Sequence, residues 1–322
     1  MPFHFSPAGE LSTLNFQLSP LGRTFHNLAR KFTFFFGCMQ IFLYFCAKIM
    51  KIGVFDSGYG GLTILTKIRE VLPQYDYLYV GDNARAPYGT RSFSCIYQYT
   101  RQAVRYLQNH DCRLVILACN TASAKALRTI QQNDINPDTL RVLGVIRPTV
   151  EVVPSLTQTG HIGILATPAT VASGSYPMEL EKVFAAYHTQ PRITQQPCPM
   201  WVPLIESGEQ NTPGAQFFVH KYLTELLAQD PQIDTILLGC THYPLLYPQI
   251  EKELAGSDIR IVEQGTIVAA SLQDYLHRHH QLETCLSRGG SCVYLTTEDT
   301  ATFDTAARRF TNTHISAQHL TW

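Results

Sequence analysis

From residue 51 onward, short apolar runs alternate with segments of helical spacing, and this alternation most narrows the folds open to the chain. Ile52–Phe55, Tyr77–Val80, Leu114–Ala118 and Val142–Ile146 read as strands. Between them, Leu62–Val71, Cys95–Asn109 and about Ala122–Gln131 carry apolar residues at the helical period. The pattern resumes with a strand at Ile162–Leu165, a helix around Met178–Ala186 and a strand near Ile193. A helix from about Ala215 to Ala228 and a strand at Thr235–Leu238 follow. Apolar runs this short and unbroken need cover on both faces, which parallel sheets flanked by helices supply. The expected fold class is therefore α/β.

The same stretch repeats itself. IGVFDSG at 52–58 has a partner in IGILATPAT at 162–170, and LVILACNTA at 114–122 has one in TILLGCTHY at 235–243. Each half thus has one strand ending in a small-residue or hydroxyl loop, and a later strand ending in a small residue, Cys and two polar residues. In parallel sheets such loops lie at the carboxyl ends of strands, where ligands bind. Two similar doubly wound domains related by pseudo-symmetry, with the active site in the cleft between them, would set Cys119 and Cys240 across that cleft.

Bulk chemistry removes several function classes. Lys plus Arg and Asp plus Glu number 25 each, so no global basic field exists to hold nucleic acid. The nine cysteines (38, 46, 95, 112, 119, 198, 240, 285 and 292) include no Cys-x-x-Cys pair, which argues against a zinc ribbon or a thioredoxin-like site. Scattered thiols fit a reducing compartment, so a cytoplasmic location is expected, with most of the cysteines acting as small buried hydrophobes. The run Phe32–Ala47 is sixteen residues long and includes Thr33 and Gln40, short of the roughly 20 apolar residues a spanning helix needs. Residues 1–50 are read as an N-terminal extension, disordered or an over-extended gene start with Met50 as the true beginning, and no membrane association is expected.

Three motifs can carry chemistry. Asp56-Ser-Gly-Tyr-Gly-Gly61 follows a strand and opens a helix, which suits a carboxylate-sized anion. A dinucleotide fingerprint with Asp82 as the ribose acid fits poorly, because Thr63 occupies the position of the third glycine. Cys119, followed by Asn120 and Thr121, sits at a helix start, where a thiolate is favoured and neighbouring polar groups can hold a small substrate. Cys240-Thr241-His242 can exchange a proton or share a metal, so a zinc hydrolase built on Cys119, Cys240 and His242 is a second reading.

Taken together, the chain from about residue 51 resembles the glutamate racemases, bacterial enzymes that supply D-glutamate for peptidoglycan. The matching segments are IGVFDSGYGGLTIL at 52–65, YVGDNARAPYGTRS at 79–92, LVILACNTASAKAL at 114–127, VPLIESG at 202–208 and DTILLGCTHYPLL at 234–246. The resemblance implies a cofactor-independent inversion in which Cys119 and Cys240 stand on opposite faces of the substrate α-carbon. By the same analogy Cys119 serves the D enantiomer, assisted by Asp56, and Cys240 the L enantiomer, assisted by His242. Asp56, Ser57, Tyr88, Gly89, Asn120, Thr121, Thr241 and Thr170 match substrate-holding positions, Thr167 a further polar contact, and Glu206 a residue that orients His242. It also implies that the C-terminal segment returns to the first domain, giving 51–146 plus about 263–322 for one domain and about 147–262 for the other. A homodimer is expected, no metal is expected, and a UDP-muramoyl precursor is a candidate activator. An aspartate racemase or maleate isomerase of the same superfamily is the nearest alternative. The chain departs from the family pattern at Glu263-Gln264-Gly265, where an Asp-Ser pair is usual.

Overall fold

The structure, a computed structural model, describes residues 50–322. The run Phe32–Ala47, Cys38, Cys46 and the readings offered for the N-terminal extension lie outside the described residues. Lys51–Asp56 (β1), Tyr77–Gly81 (β2), Cys112–Leu117 (β3) and Arg141–Gly144 (β4) come first in the chain. His161–Ala166 (β5), Arg192–Pro197 (β6), Thr235–Gly239 (β7) and Arg260–Val262 (β8) follow, and Cys292–Thr296 (β9) and Ala317–His319 (β10) come last. They form two parallel sheets, a six-stranded one in the order β10-β9-β2-β1-β3-β4 and a four-stranded one in the order β6-β5-β7-β8.

The internal repeat is now visible as topology. The order β2-β1-β3-β4 in the first sheet is the order β6-β5-β7-β8 in the second. The central strands are buried almost end to end, because helices cover both faces and leave no polar alternation to expose. Around the first sheet, Phe55, Val80, Val104, Val115 and Ile130 share one apolar core; Ile162, Ile164, Leu180 and Leu237 share another in the second. The fold class read from the sequence, α/β with two parallel-sheet domains, is the one observed.

Most element ends shift by one to three residues from the sequence reading, and two differences change an element's course. The strand expected to reach Ile146 stops at Gly144, and Ile146 opens the helix Ile146–Val152. Pro148 sits in that helix's first turn, where its missing N–H leaves no hydrogen bond unmade, so the helical start is easily accommodated. The helix expected from about Ala122 divides into Asn120–Lys125 and Leu127–Asn133 at Ala126, whose φ of −116° departs from helical geometry. Among the described residues no helix is long and apolar enough to cross a membrane.

Candidate active site

In each sheet the first strand has its successor on one side and the third strand on the other. Loops leaving the first and third strands therefore diverge and open a crevice at their carboxyl ends. Asp56 and Ser57 end and follow β1, Cys119 follows β3, Thr167 follows β5 and Cys240 follows β7. One cavity is lined from all four loops, by Ser57, Cys119, Thr167, Cys240 and their neighbours.

Cys119 caps the helix Asn120–Lys125, its Sγ accepting the Ala122 N–H at 3.4 Å. Ser57 Oγ stands 3.3 Å from the same sulfur. Burial, reinforced by the nearby Asp56 carboxylate, pushes the thiol up to about 12, against the pull of the Ser57 and Ala122 hydrogen bonds. The charge of Cys240 also acts on Cys119, so the two sulfurs share one electrostatic environment. Asp56 is fully buried behind this wall and does not line the cavity. Its Oδ2 accepts the Gly58 N–H at 3.0 Å and its Oδ1 has no partner. Burial raises its pKa, while His242 and the Gly61 and Gly58 N–H groups work the other way.

Across the cavity, His242 Nδ1 is 3.9 Å from Cys240 Sγ, and its Nε2 is 2.9 Å from Glu206 Oε1. Burial opposes the imidazolium, but the contacts with Cys240 and Glu206 prevail and raise it to about 10. Glu206 ends the helix Trp201–Glu206, whose last carbonyls, on Ile205 and Glu206, accept from Arg309 at 3.3 and 3.0 Å. The Phe310 ring meets the His242 ring edge-on at 5.4 Å. Thr241 lines the cavity beside this pair.

The remaining predicted residues divide by how free their polar groups are. Thr121, Thr167 and Thr170 form a triangle of hydroxyls 3.0 to 3.3 Å apart, with Thr121 and Thr167 on the cavity wall and Thr170 behind it. Gly89 lies so close to Thr167 that an added Cβ would be 2.9 Å from its Cβ, and its carbonyl accepts the Ala169 N–H at 2.9 Å. Tyr88 lines the cavity, yet its hydroxyl donates to Asp82. Asp82, weighed in the sequence as a ribose acid, is buried and also accepts from Arg85, Thr297 and Trp322. Asn120 reaches the cavity, but its amide is engaged by Gln264 and Tyr176.

Sequence reasoning passed over Cys198, Pro199, Val202 and Pro203, which give the cavity an apolar wall. Nothing in its immediate sequence sets Cys198 apart from the cysteines expected to be small buried hydrophobes. Its position directly after β6, at the same carboxyl edge as Cys240, was the available signal. Its Sγ donates to Gln196 O at 3.5 Å, and burial raises it well above an ordinary thiol. Among the described residues no three His, Cys, Asp or Glu side chains gather into a metal-holding group, so the zinc reading gains no support from the arrangement of Cys119, Cys240 and His242.

A family model for Asp/Glu/hydantoin racemases matches residues 59–272. The glutamate racemase of Ruegeria pomeroyi is 41% identical over 278 residues, covering 83% of this chain and 98% of that protein. The crystal structure of glutamate racemase from Francisella tularensis in complex with D-glutamate matches with a TM-score of 0.74 at 30% identity, over 84% of this chain and 97% of that one. The Escherichia coli glutamate racemase, solved with L-glutamate and the activator UDP-MurNAc-Ala, matches with a TM-score of 0.66 at 26% identity, over 84% and 98%. The repeated sheets, the two thiols at equivalent strand ends and this likeness along nearly the whole length of the relatives lead to one conclusion: the chain belongs to the glutamate racemases, within the Asp/Glu/hydantoin racemase family, and is an amino-acid racemase acting on glutamate.

Proposed function

We propose that this racemase inverts glutamate with two opposed thiols and no cofactor. The observation that carries the reading is that Cys119 and Cys240, at equivalent ends of β3 and β7, line the same cavity. With L-glutamate bound, the Cys240 thiolate takes the α-proton and the Cys119 thiol gives its own proton to the opposite face of the carbanion. The product leaves as D-glutamate, with the thiolate now on Cys119; the reverse reaction exchanges the roles. Cys119, held up at about 12, is suited to rest as the donor. Cys240, backed by the charged His242–Glu206 pair, is suited to act as the base.

Asp56 assists Cys119 and His242 assists Cys240. Ser57, Tyr88, Gly89, Asn120, Thr121 and Thr241 hold the amino acid, with Thr167 on the wall and Thr170 behind it. The polar groups left free on the cavity wall stabilise the charge that grows on the substrate carboxylate as the α-proton leaves, and the apolar wall keeps water out. The domain division in this reading is 51–146 with about 263–322, against about 147–262. The enzyme is a cytoplasmic homodimer that supplies D-glutamate for peptidoglycan. It is a candidate for activation by a UDP-muramoyl precursor, such as the UDP-MurNAc-Ala that is the activator in the E. coli structure.

Incubation with L-glutamate in D₂O, with nothing added, tests the mechanism. Deuterium at the α-carbon of newly formed D-glutamate is expected, and Cys119→Ser and Cys240→Ser should each abolish racemisation. Inversion without deuterium, a requirement for added pyridoxal phosphate or metal, or full activity in either variant would refute it. L-aspartate in the same assay tests the neighbouring substrate reading.

A further inference from the structure

Gln264, part of the segment that departs from the family pattern, has no role in the two-thiol mechanism, yet it is 3% exposed and fully hydrogen-bonded. Its Oε1 accepts from Asn120 Nδ2 at 2.6 Å. Its Nε2 donates to the Tyr176 hydroxyl at 2.9 Å and to Thr149 Oγ1 at 3.0 Å. The Tyr176 hydroxyl donates in turn to Asn120 Oδ1 at 2.7 Å. Asn120, Gln264 and Tyr176 therefore form a closed ring in which each side chain donates to the next. Such a ring fixes both amides, since turning either one over sets donor against donor and acceptor against acceptor.

The members come from different parts of the fold. Asn120 directly follows Cys119 at the end of the first sheet's β3. Tyr176 lies on the helix Ser175–Ala185 and Thr149 on Ile146–Val152, both packed with the second sheet's core. Gln264 stands between β8 and the helix Gly265–Arg278, which packs on Gly61–Val71 behind the catalytic loop. All four side chains are buried, so an unmade hydrogen bond among them would not be replaced by bulk water.

We infer that Gln264 is a positioning residue for the reaction: through the ring it holds the Asn120 amide, and the first turn after Cys119, in one orientation against the second sheet. The inference rests on the two-thiol reading above. The Asn120 amide nitrogen uses one N–H in the ring and keeps its second for a ligand. A glutamate at 264 would replace the donating nitrogen with an acceptor facing two hydroxyls that already donate elsewhere, Tyr176 to Asn120 and Thr149 to Val145 O.

The test compares Gln264→Met, Tyr176→Phe and the double variant in the full chain, by steady-state racemisation and by exchange of side-chain amide protons in ¹⁵N-labelled protein. Methionine keeps the volume and removes the hydrogen bonds. Each single variant should raise KM about tenfold with a smaller change in kcat, and the double should be no worse than the worse single, because either change opens the same ring. The Asn120 amide protons should exchange slowly in the wild type and at least about tenfold faster in Tyr176→Phe. KM within about twofold of wild type in Gln264→Met, additive losses in the double variant, or rapid exchange at Asn120 in the wild type would each overturn the inference. Absence of racemisation by the wild type would refute the mechanism instead, while the exchange rates still decide the ring.

Discussion

In the proposed mechanism each thiol both gives and takes a proton, so what surrounds its sulfur governs it. Cys119 is hemmed in by burial and by the Asp56 charge, which together favour the protonated form. Replacing Asp56 with Asn removes one of these influences. Thiolate absorbance assigned to Cys119 by difference from Cys119→Ser should then develop at lower pH, while turnover in the direction that uses Cys119 as base should fall. His242 titrates the other way. Its folded-state value of about 10 lies above the ordinary 6.5, so the stability it contributes is complete below about pH 6.5 and is lost as pH rises through about 10. In Glu206→Gln that loss should be shallower in thermal melts run between pH 6.5 and 10. The kcat for L-glutamate should fall by about tenfold to a hundredfold, as expected when a proton-transfer partner loses its support.

Among the elements, the loop from Asp56 to Gly61 is shaped by how closely other parts of the chain approach it. A Cβ on Gly60 would lie 2.2 Å from Thr241 Oγ1 and 2.4 Å from His242 Nδ1, and one on Gly61 would lie 2.4 Å from Asp56 Cβ. These glycines let the first helix start against the opposing Cys240–His242 loop. Gly60→Ala should therefore wedge the two loops apart and lower kcat/KM by more than about a hundredfold, with a stability cost of about 1–3 kcal/mol read from denaturant unfolding. An ordinary surface glycine would not separate the two effects so widely. On the far side of the first sheet, the Asp76 carboxylate accepts from Gly289 N, Ser291 N and Ser291 Oγ at 2.5 to 3.0 Å. Burial alone would raise its pKa, but the Ser287 hydroxyl beside it and these hydrogen bonds overcome it and hold the group at about 2. Its contribution is present above the ordinary 3.8 and disappears as pH falls through about 2. Asp76→Asn should accordingly flatten the acid limb of the stability curve.

At the scale of the whole molecule, the C-terminal stretch ties distant parts of the site together. β9 pairs with β2, and β10 pairs with β9 at the edge of the first sheet, after the chain has built the entire second sheet. The helix Thr300–Thr311 stacks Phe303 and Phe310 on Tyr59 at 5.4 and 5.9 Å and sends Arg309 to the end of the Trp201–Glu206 helix. Removing residues 292–322 would unpair β2 along one side and strip these rings away. The shortened chain should fail to give the cooperative melt of the intact protein, and limited proteolysis should cut it rapidly. If it melts as the full chain does, the tie is dispensable.

What the sequence determined by itself was local. Strand and helix periods, and a small residue followed by Cys and polar groups at two strand ends, were legible because burial on both faces leaves an unbroken apolar run and a helix start recruits capping side chains. The α/β class and the matching positions of Cys119 and Cys240 at two strand ends follow from such short-range chemistry, while their opposed roles come from the family resemblance. Long-range placement had to await the fold. Nothing near Gln264 in the chain points to Asn120, and nothing near Arg309 points to Glu206. Cys198 reads like any buried thiol until the strand order brings it to the cavity. Even the end of β4 at Gly144, two residues early, was set by where the next helix docks. Which side chains share a cavity depends on strand order and on how two sheets close on each other. That closure is the sum of many weak contacts between residues far apart in sequence, and no short window of sequence contains it.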